Sequence, residues 1–413
     1  MEKEGSSLVD RPRSVAAGEI LSDGKRILLE GAGDRFRRLR RAVHTHLQPK
    51  AAETYQQIQM ENARNTIFDI LNDPKHHQAH AQRYAASVIL RVTYGKTTPT
   101  TNTDPEVLRI RKVLENFQSV MRPGAYLVDR VPILKHLPGY GQNLLAWHHE
   151  ELQLFRSQLN NVKGNVASEK ADPSFAKTLL EHTGEHQLSG DEMAYLAGTL
   201  FAAGADTTSV GITNAILAAA SHPEAQARVQ EELDMVVGLD RAPLFEDQES
   251  LPQLQAFVHE ALRWRPITPI GFPHRATKDI IWRGQRIPAG ATVYGVHWAI
   301  ARDPVAFPDP EKFDPQRWLD NDGNLRTDMR FFTFGFGRRV CPGQHVANRS
   351  LFINLALILW SFRIAQNPRS PIDVNAFSDG VISHAAPFEA DFIPRMDEKR
   401  LRDMMETYGE FRV

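Results

Sequence analysis

The chain has 413 residues, and its 49 Lys and Arg nearly cancel 50 Asp and Glu, so a formal net charge of −1 excludes an electrostatic nucleic-acid binder. A single cysteine excludes intramolecular disulfides and fits a reducing or cytosol-facing setting. Neither a signal peptide nor a transmembrane helix is visible: residues 1–10 lack an apolar core, and the best window, Tyr195 to Ala220, is interrupted by Asp206.

Residues 1–33 are polar and glycine-punctuated, which predicts loop with a short helix. Gly33 to Leu47 follows as a basic helix with Phe36, Leu39, Val43 and Leu47 at helical spacing. Read from the residues alone, its five arginines describe a solvated face. Residues 54–95 are predicted helical, with a turn at Asn72-Asp73-Pro74. His76, His77 and His80 have helix-neighbour spacing there. Lacking an acidic or thiol partner, they are assigned to a surface loop rather than a zinc site.

Further helices occupy 104–170, broken at Pro123-Gly124 and Pro138-Gly139. Ser189 and Glu192 form a capping box that opens a very long helix ending near His222-Pro223. Its centre holds Gly204, Asp206, Thr207 and Thr208, poor helix formers and poor core residues. A kink whose hydroxyls bond back to the helix is the plain alternative. Another helix runs from Pro223 to about Val237, and Leu251 to Pro266 is helical until its proline. Glu260 and Arg263 are one turn apart on it and can pair. A surface pair of that kind contributes well under ~1 kcal/mol. The segment from Pro266 to Pro304 alternates turns with short strands and predicts a small β-sheet. The charged tail after Pro394 is predicted helical.

The stretch Phe331 to Arg349, FFTFGFGRRVCPGQHVANR, presents the lone Cys341 on a glycine-rich loop at the start of an apolar helix. Helix N–H groups and the guanidinium groups of Arg338 and Arg339 favour an anion there, so a thiolate is expected. Three chemistries use one such sulfur. A nucleophile would need a base, and His345 lies one turn along. Zinc would need further thiols or clustered histidines, and the chain has no second cysteine. The third is axial ligation of haem iron.

The third reading gains a specific resemblance. FGFGRRVCPG is similar to the haem-binding loop of the cytochrome P-450 family, Phe-x-x-Gly-x-Arg-x-Cys-x-Gly, with Phe334, Gly337, Arg339, Cys341 and Gly343 at the fixed positions. Ala203, Gly204, Asp206, Thr207 and Thr208 match the family's oxygen-side helix motif. Glu260 and Arg263 match its Glu-x-x-Arg, and Phe313, Pro315 and Arg317 match the later segment whose arginine joins that pair.

The resemblance runs from about Gly33 to Pro394 and implies a single catalytic domain over 1–413. Its fold is mainly α with a small β region, haem lying between the long central helix and the Cys-loop with the last helix. It implies haem b, iron protoporphyrin IX, with Cys341 as axial ligand and Phe334 shielding the sulfur. Gly343 would leave room for the ring, and Arg40, His274 and Arg339 would meet the propionates. Gly204 would open a groove for dioxygen, Thr207 would hydrogen-bond the bound oxygen, and Asp206 would relay protons. Glu260, Arg263 and Arg317 would form a buried structural network.

The implied activity is monooxygenation of a hydrophobic small molecule, as in fungal secondary-metabolite biosynthesis. Electrons would come from NADPH-cytochrome P-450 reductase. The pocket-lining segments, including Ile267 to Pro273 and Gly380 to Pro387, read as apolar. Pro123 to Gly139 resembles a loop over the substrate entrance that touches membrane, which gives peripheral membrane contact and the cytosolic face of the endoplasmic reticulum. Arg37, Arg38 and Arg41 would add a basic docking surface for the reductase. Relative to the family, the chain reads as N-terminally shortened, without anchor, first helix and first strands. The alternatives are a reductase-independent haem-thiolate isomerase, dehydratase or peroxygenase, and a non-catalytic haem binder or inactive truncated relative.

Overall fold

A computed structural model describes residues 1–98, 100, 101, 103–329 and 331–409. Its longer helices are α1 (Asp34–Leu47), α2 (Gln56–Asn72), α3 (His77–Tyr94), α4 (Pro105–Met121) and α5 (Gln142–Ala167). They continue with α6 (Gly190–Ser221), α7 (Pro223–Val236), α8 (Pro252–Trp264), α9 (Gln344–Ser361) and α10 (Glu398–Glu406). The mainly helical fold and the predicted helix boundaries are borne out.

The arrangement turns on α6. Its capping box forms: the Glu192 N–H donates to Ser189 Oγ at 3.2 Å, and the Ser189 N–H donates to Glu192 Oε2 at 2.9 Å. Two orphan donors are thereby satisfied before the helix enters the interior. Its first half shares one apolar core with α1, α3, α4 and α5, and its second half another with α2, α3, α7, α8 and α9, so α3 and α6 belong to both. Glycines allow the closest crossings. A Cβ on Gly198 would sit 2.1 Å from Phe155 of α5, one on Gly204 2.6 Å from Ile89 of α3, and one on Gly211 2.9 Å from Leu351 of α9. Gly204 therefore permits the close approach of α3, a packing role that the sequence alone did not mark.

The β region, expected as one small sheet, consists among the described residues of separate two-stranded antiparallel ribbons. β1 (His274–Arg275) pairs with β4 (Thr292–Val293), and β2 (Ile280–Trp282) with β3 (Gln285–Ile287). β5 (Phe362–Gln366) pairs with β6 (Ala390–Pro394). Asp10 bridges to Arg275 and ties residues 1–33 to the first ribbon. Those first residues are turns around one short helix, Val15–Leu21, as expected.

The histidine cluster needs two corrections. His77 opens α3, is buried, and packs against Phe388 and Phe392; its Nε2 hydrogen-bonds the Phe388 carbonyl at 3.1 Å. His76 does have an acidic partner, Asp73, at 2.7 Å. No group of three or more potential metal ligands exists among the described residues. No helix among them is long and apolar enough to cross a membrane.

Candidate functional site

The Cys341 loop is shaped by backbone. Gly335 at φ +84° and Gly337 at φ +54° take conformations that L side chains rarely adopt. The hairpin closes where the Cys341 N–H donates to the Phe334 carbonyl at 2.8 Å. The sulfur then sits three residues before the start of α9. A Cβ on Gly343 would stand 3.9 Å from Sγ, so glycine leaves that flank of the sulfur clear. The Phe334 ring lies edge-on to Phe331 at 5.8 Å. No hydrogen bond joins His345 to Cys341 among the described residues, which removes support from the cysteine–histidine nucleophile.

The expected thiolate needs qualification in physical terms. Burial pushes the Cys341 thiol up and outweighs the pull of the Gly343 amide, the Arg40 charge and the Gln344 amide. The protein alone does not ionise this sulfur; a bound metal ion would.

Around the loop lies a cluster of sequestered cations. Arg339 donates to the carbonyls of Val9 at 2.6 Å and Glu30 at 2.8 Å, and its guanidinium rests 3.5 Å above the Phe36 ring. Arg40 donates to the Val340 carbonyl at 2.6 Å. His274 is buried and hydrogen-bonds the Leu8 carbonyl through Nδ1 at 2.5 Å. Arg11, which no sequence motif marks, donates to the carbonyls of Leu28 at 3.0 Å and Pro273 at 2.5 Å. Burial, with the neighbouring Arg11 charge, lowers Arg339 to about 9. Burial lowers Arg11 to about 10 and His274 to about 4. These side chains bond carbonyl oxygens, while nearby Asp10 is engaged with Arg275 and Glu30 with Arg35. A cluster so short of negative charge suits an anionic group such as a pair of carboxylates. The residues present therefore fit a haem whose iron meets Cys341 and whose propionates meet the cations.

At the midpoint of α6 the burial pattern breaks. Ala203 is exposed, and Gly204, Asp206, Thr207 and Thr208 are half-buried, on a helix otherwise largely within the core. Thr207 Oγ1 donates back to the Ala203 carbonyl at 2.8 Å. Asp206 lies in the wall of a cavity of about 330 Å³ formed by α3, α4, α6 and the turn at 378–384. Gln82, Arg111, Glu115, Gln118 and His384 share that wall, so it is more polar than expected. Gly380 and His384 line it as expected, but residues 267–273 do not border it. Gln118 was not singled out in the sequence, and His384 only as part of the pocket-lining turn; no local pattern marks either as a partner of Asp206.

The structural network is formed and buried. Arg263 grips Glu260 through Nε and Nη2 at 2.7 and 2.8 Å, and both side chains are fully buried. Arg317 Nε donates to the same carboxylate at 3.1 Å, and Trp318 Nε1 adds a further bond at 2.9 Å. Arg263 Nη1 also holds the carbonyls of Ala301 and Pro310, both at 2.8 Å. A surface ion pair is thereby excluded.

A helical fold with one cysteine thiol on a glycine-shaped loop, an anion-seeking cluster beside it and a polar break in the central helix defines a haem-thiolate oxygenase. The chain belongs to the cytochrome P450 family, whose sequence profile, described as Cytochrome P450, matches residues 1–392. Cytochrome P450 monooxygenase 64 of Postia placenta is 52% identical over 396 residues, covering 96% of this chain and 80% of its own length. Cytochrome P450 monooxygenase 113 of the same fungus is 53% identical with the same coverage. Cytochrome P450 monooxygenase claR of Ampulloclitocybe clavipes is 33% identical over 407 residues, covering 96% of this chain and 76% of its own. The chain is thus a haem-dependent monooxygenase of the oxidoreductase class, in a family that generally takes electrons from a reductase and acts on hydrophobic substrates.

Proposed function

We propose that residues 1–413 form one catalytic domain that binds haem b and adds one oxygen atom of dioxygen to a hydrophobic small molecule of fungal secondary metabolism. The observation that carries this reading is the conjunction of the Cys341 loop, the buried cation cluster and the break in burial over Ala203–Thr208 of α6. When bound, haem supplies oxygen activation, and a cysteine thiolate on its iron favours O–O cleavage. Cys341 is assigned as the iron ligand. Phe334 and the glycine hairpin restrict water at the sulfur. Arg40, Arg339 and His274, with Arg11 added by the fold, would hold the propionates, and Gly343 would leave clearance. Thr207 and Asp206 of α6 would hold and pass protons, with Asp206 anchored in the cavity wall. Glu260, Arg263 and Arg317 keep the segment before the Cys loop in place.

The electron donor in this reading is NADPH-cytochrome P-450 reductase, and the location is the cytosolic face of the endoplasmic reticulum membrane. Peripheral membrane contact is supported by the apolar side chains between 123 and 139, where Leu127, Ile133 and Leu137 are 59%, 72% and 53% exposed. The intact Asp206-Thr207 pair favours this reaction over a reductase-independent isomerase, dehydratase or peroxygenase, and over an inactive haem binder.

The test is the spectrum of the reduced, carbon-monoxide-bound protein, followed by binding spectra against terpenoids and polyketides and turnover with NADPH and reductase. A thiolate-type Soret band and reductase-dependent product support the reading; a histidine-type band, or no bound haem, refutes it. Thr207→Ala is expected to divert electrons from product to peroxide or water, and unchanged coupling would remove Thr207 from its assigned role.

A further inference from the structure

Asp206 is gripped at both carboxylate oxygens by side chains from other elements. His384 Nε2 lies 2.8 Å from Oδ1, and Gln118 Nε2 of α4 donates to Oδ2 at 3.2 Å. The turn that presents His384 is closed on itself. The Ser378 N–H donates to the His384 carbonyl at 2.8 Å, the His384 N–H donates to Ser378 Oγ at 3.0 Å, and Phe377 bridges to Ala385. Gly380 presses on Gln118: a Cβ there would stand 2.9 Å from Gln118 Oε1.

The His384 ring faces a carboxylate acceptor in Asp206. An imidazolium, with an N–H donor at Nε2 and a positive charge, suits that partner. Burial alone would discharge the ring, but the hydrogen bond and charge of Asp206 prevail and raise its pKa above the usual value. The other charges facing this cavity are Arg111 and Glu115 of α4 and Arg122 just past its end, with Arg122 paired to Asp379 at 3.1 Å. The His384 side chain is 35% exposed and that of Asp206 15%, so His384 has the better access to solvent protons.

We propose that His384 positions Asp206 and supplies the protons that Asp206 passes on during oxygen reduction. The inference rests on the monooxygenase reading and assigns a residue to its proton supply. In the step, the Nε2–H bond of His384 breaks and Oδ1 of Asp206 takes the proton. Asp206 gives it to the oxygen that leaves as water, and His384 regains a proton from solvent. No electron passes through either residue.

Two measurements test this on the holoenzyme. In the reduced, carbon-monoxide-bound protein with ¹⁵N-labelled histidine, the His384 resonance, assigned by its loss in His384→Gln, should titrate above the ordinary imidazole range. It should move down in Asp206→Asn. Titration at the ordinary value, or no change in Asp206→Asn, overturns the pairing. With NADPH, reductase and dioxygen, the parent's NADPH oxidation should fall above the pH at which His384 deprotonates. His384→Gln and His384→Arg should lose that limb and run at least about tenfold slower, short of the ~10²-fold of a direct general acid. Arginine keeps the charge that holds the carboxylate but does not release a proton, so a His384→Arg enzyme with parent rate and pH profile overturns the proton-supply role. Loss of the thiolate-type carbon-monoxide band in the parent would instead refute the monooxygenase reading. If a variant fails to fold, the titration in Asp206→Asn decides.

Discussion

Cys341 sits in a loop whose backbone already has the right shape, yet burial disfavours its charged form. Iron and thiolate are then mutually dependent: the metal ionises the sulfur, and the sulfur holds the metal. Cys341→Ser is expected to abolish the thiolate-type carbon-monoxide band and to lower turnover at least ~100-fold. That is the upper end of what losing a ligand's hydrogen-bond partner costs; retained haem and parent turnover would remove Cys341 as ligand. Glu260 is a different kind of residue, a fully buried carboxylate with Arg263, Arg317 and Trp318 all donating to it. Glu260→Gln should cost about 3–5 kcal/mol, since it leaves buried guanidinium groups without a counter-charge. Chemical denaturation of both proteins measures the difference. Cys341 and the Glu-x-x-Arg pair were legible in the chain because each is a short run with fixed spacing. Arg11 and His384 were not, because their partners are distant: the His384–Asp206 bond spans 178 positions.

The elements owe their placement to contacts along α6. Gly198 and Gly204 remove side chains where α5 and α3 cross it, so a methyl group there would meet Phe155 or Ile89 rather than empty space. Gly198→Ala should destabilise by at least about 1–3 kcal/mol, the usual cost of overpacking a core. Phe155→Leu in the same chain should recover part of the lost melting temperature; no recovery would mean that the crossing does not set the cost. Helix boundaries were readable from caps and prolines, which act within a turn or two. Ribbon pairing was not, since two- or three-residue strands carry almost no alternation to read.

For the whole molecule, buried histidines set the acid limit. His77, His259 and His297 are lowered to about 4, each chiefly by burial. In the unfolded chain they titrate near 6.5. At neutral pH both states hold them uncharged and stability is unaffected. Between about 6.5 and 4 the unfolded chain binds protons that the fold refuses, so stability falls as pH drops through that window. Thermal melts across it should show the decline, with His77→Phe flattening its share, because Phe can keep the tilted ring contact with Phe388 without titrating. An unchanged slope in that variant would show that His77 is not among the groups responsible.

By itself the order of residues determined the helical class, the capped central helix, the cysteine loop and the Glu260–Arg263 pair, because each depends on neighbours within a few turns of the chain. Only tertiary structure decided which cations gather around the loop, which side chains grip Asp206, and that Gly204 serves packing. Those outcomes depend on burial and on distances between segments far apart in the chain. Charge balance in a low-dielectric interior is a property of the assembled neighbourhood rather than of any one stretch.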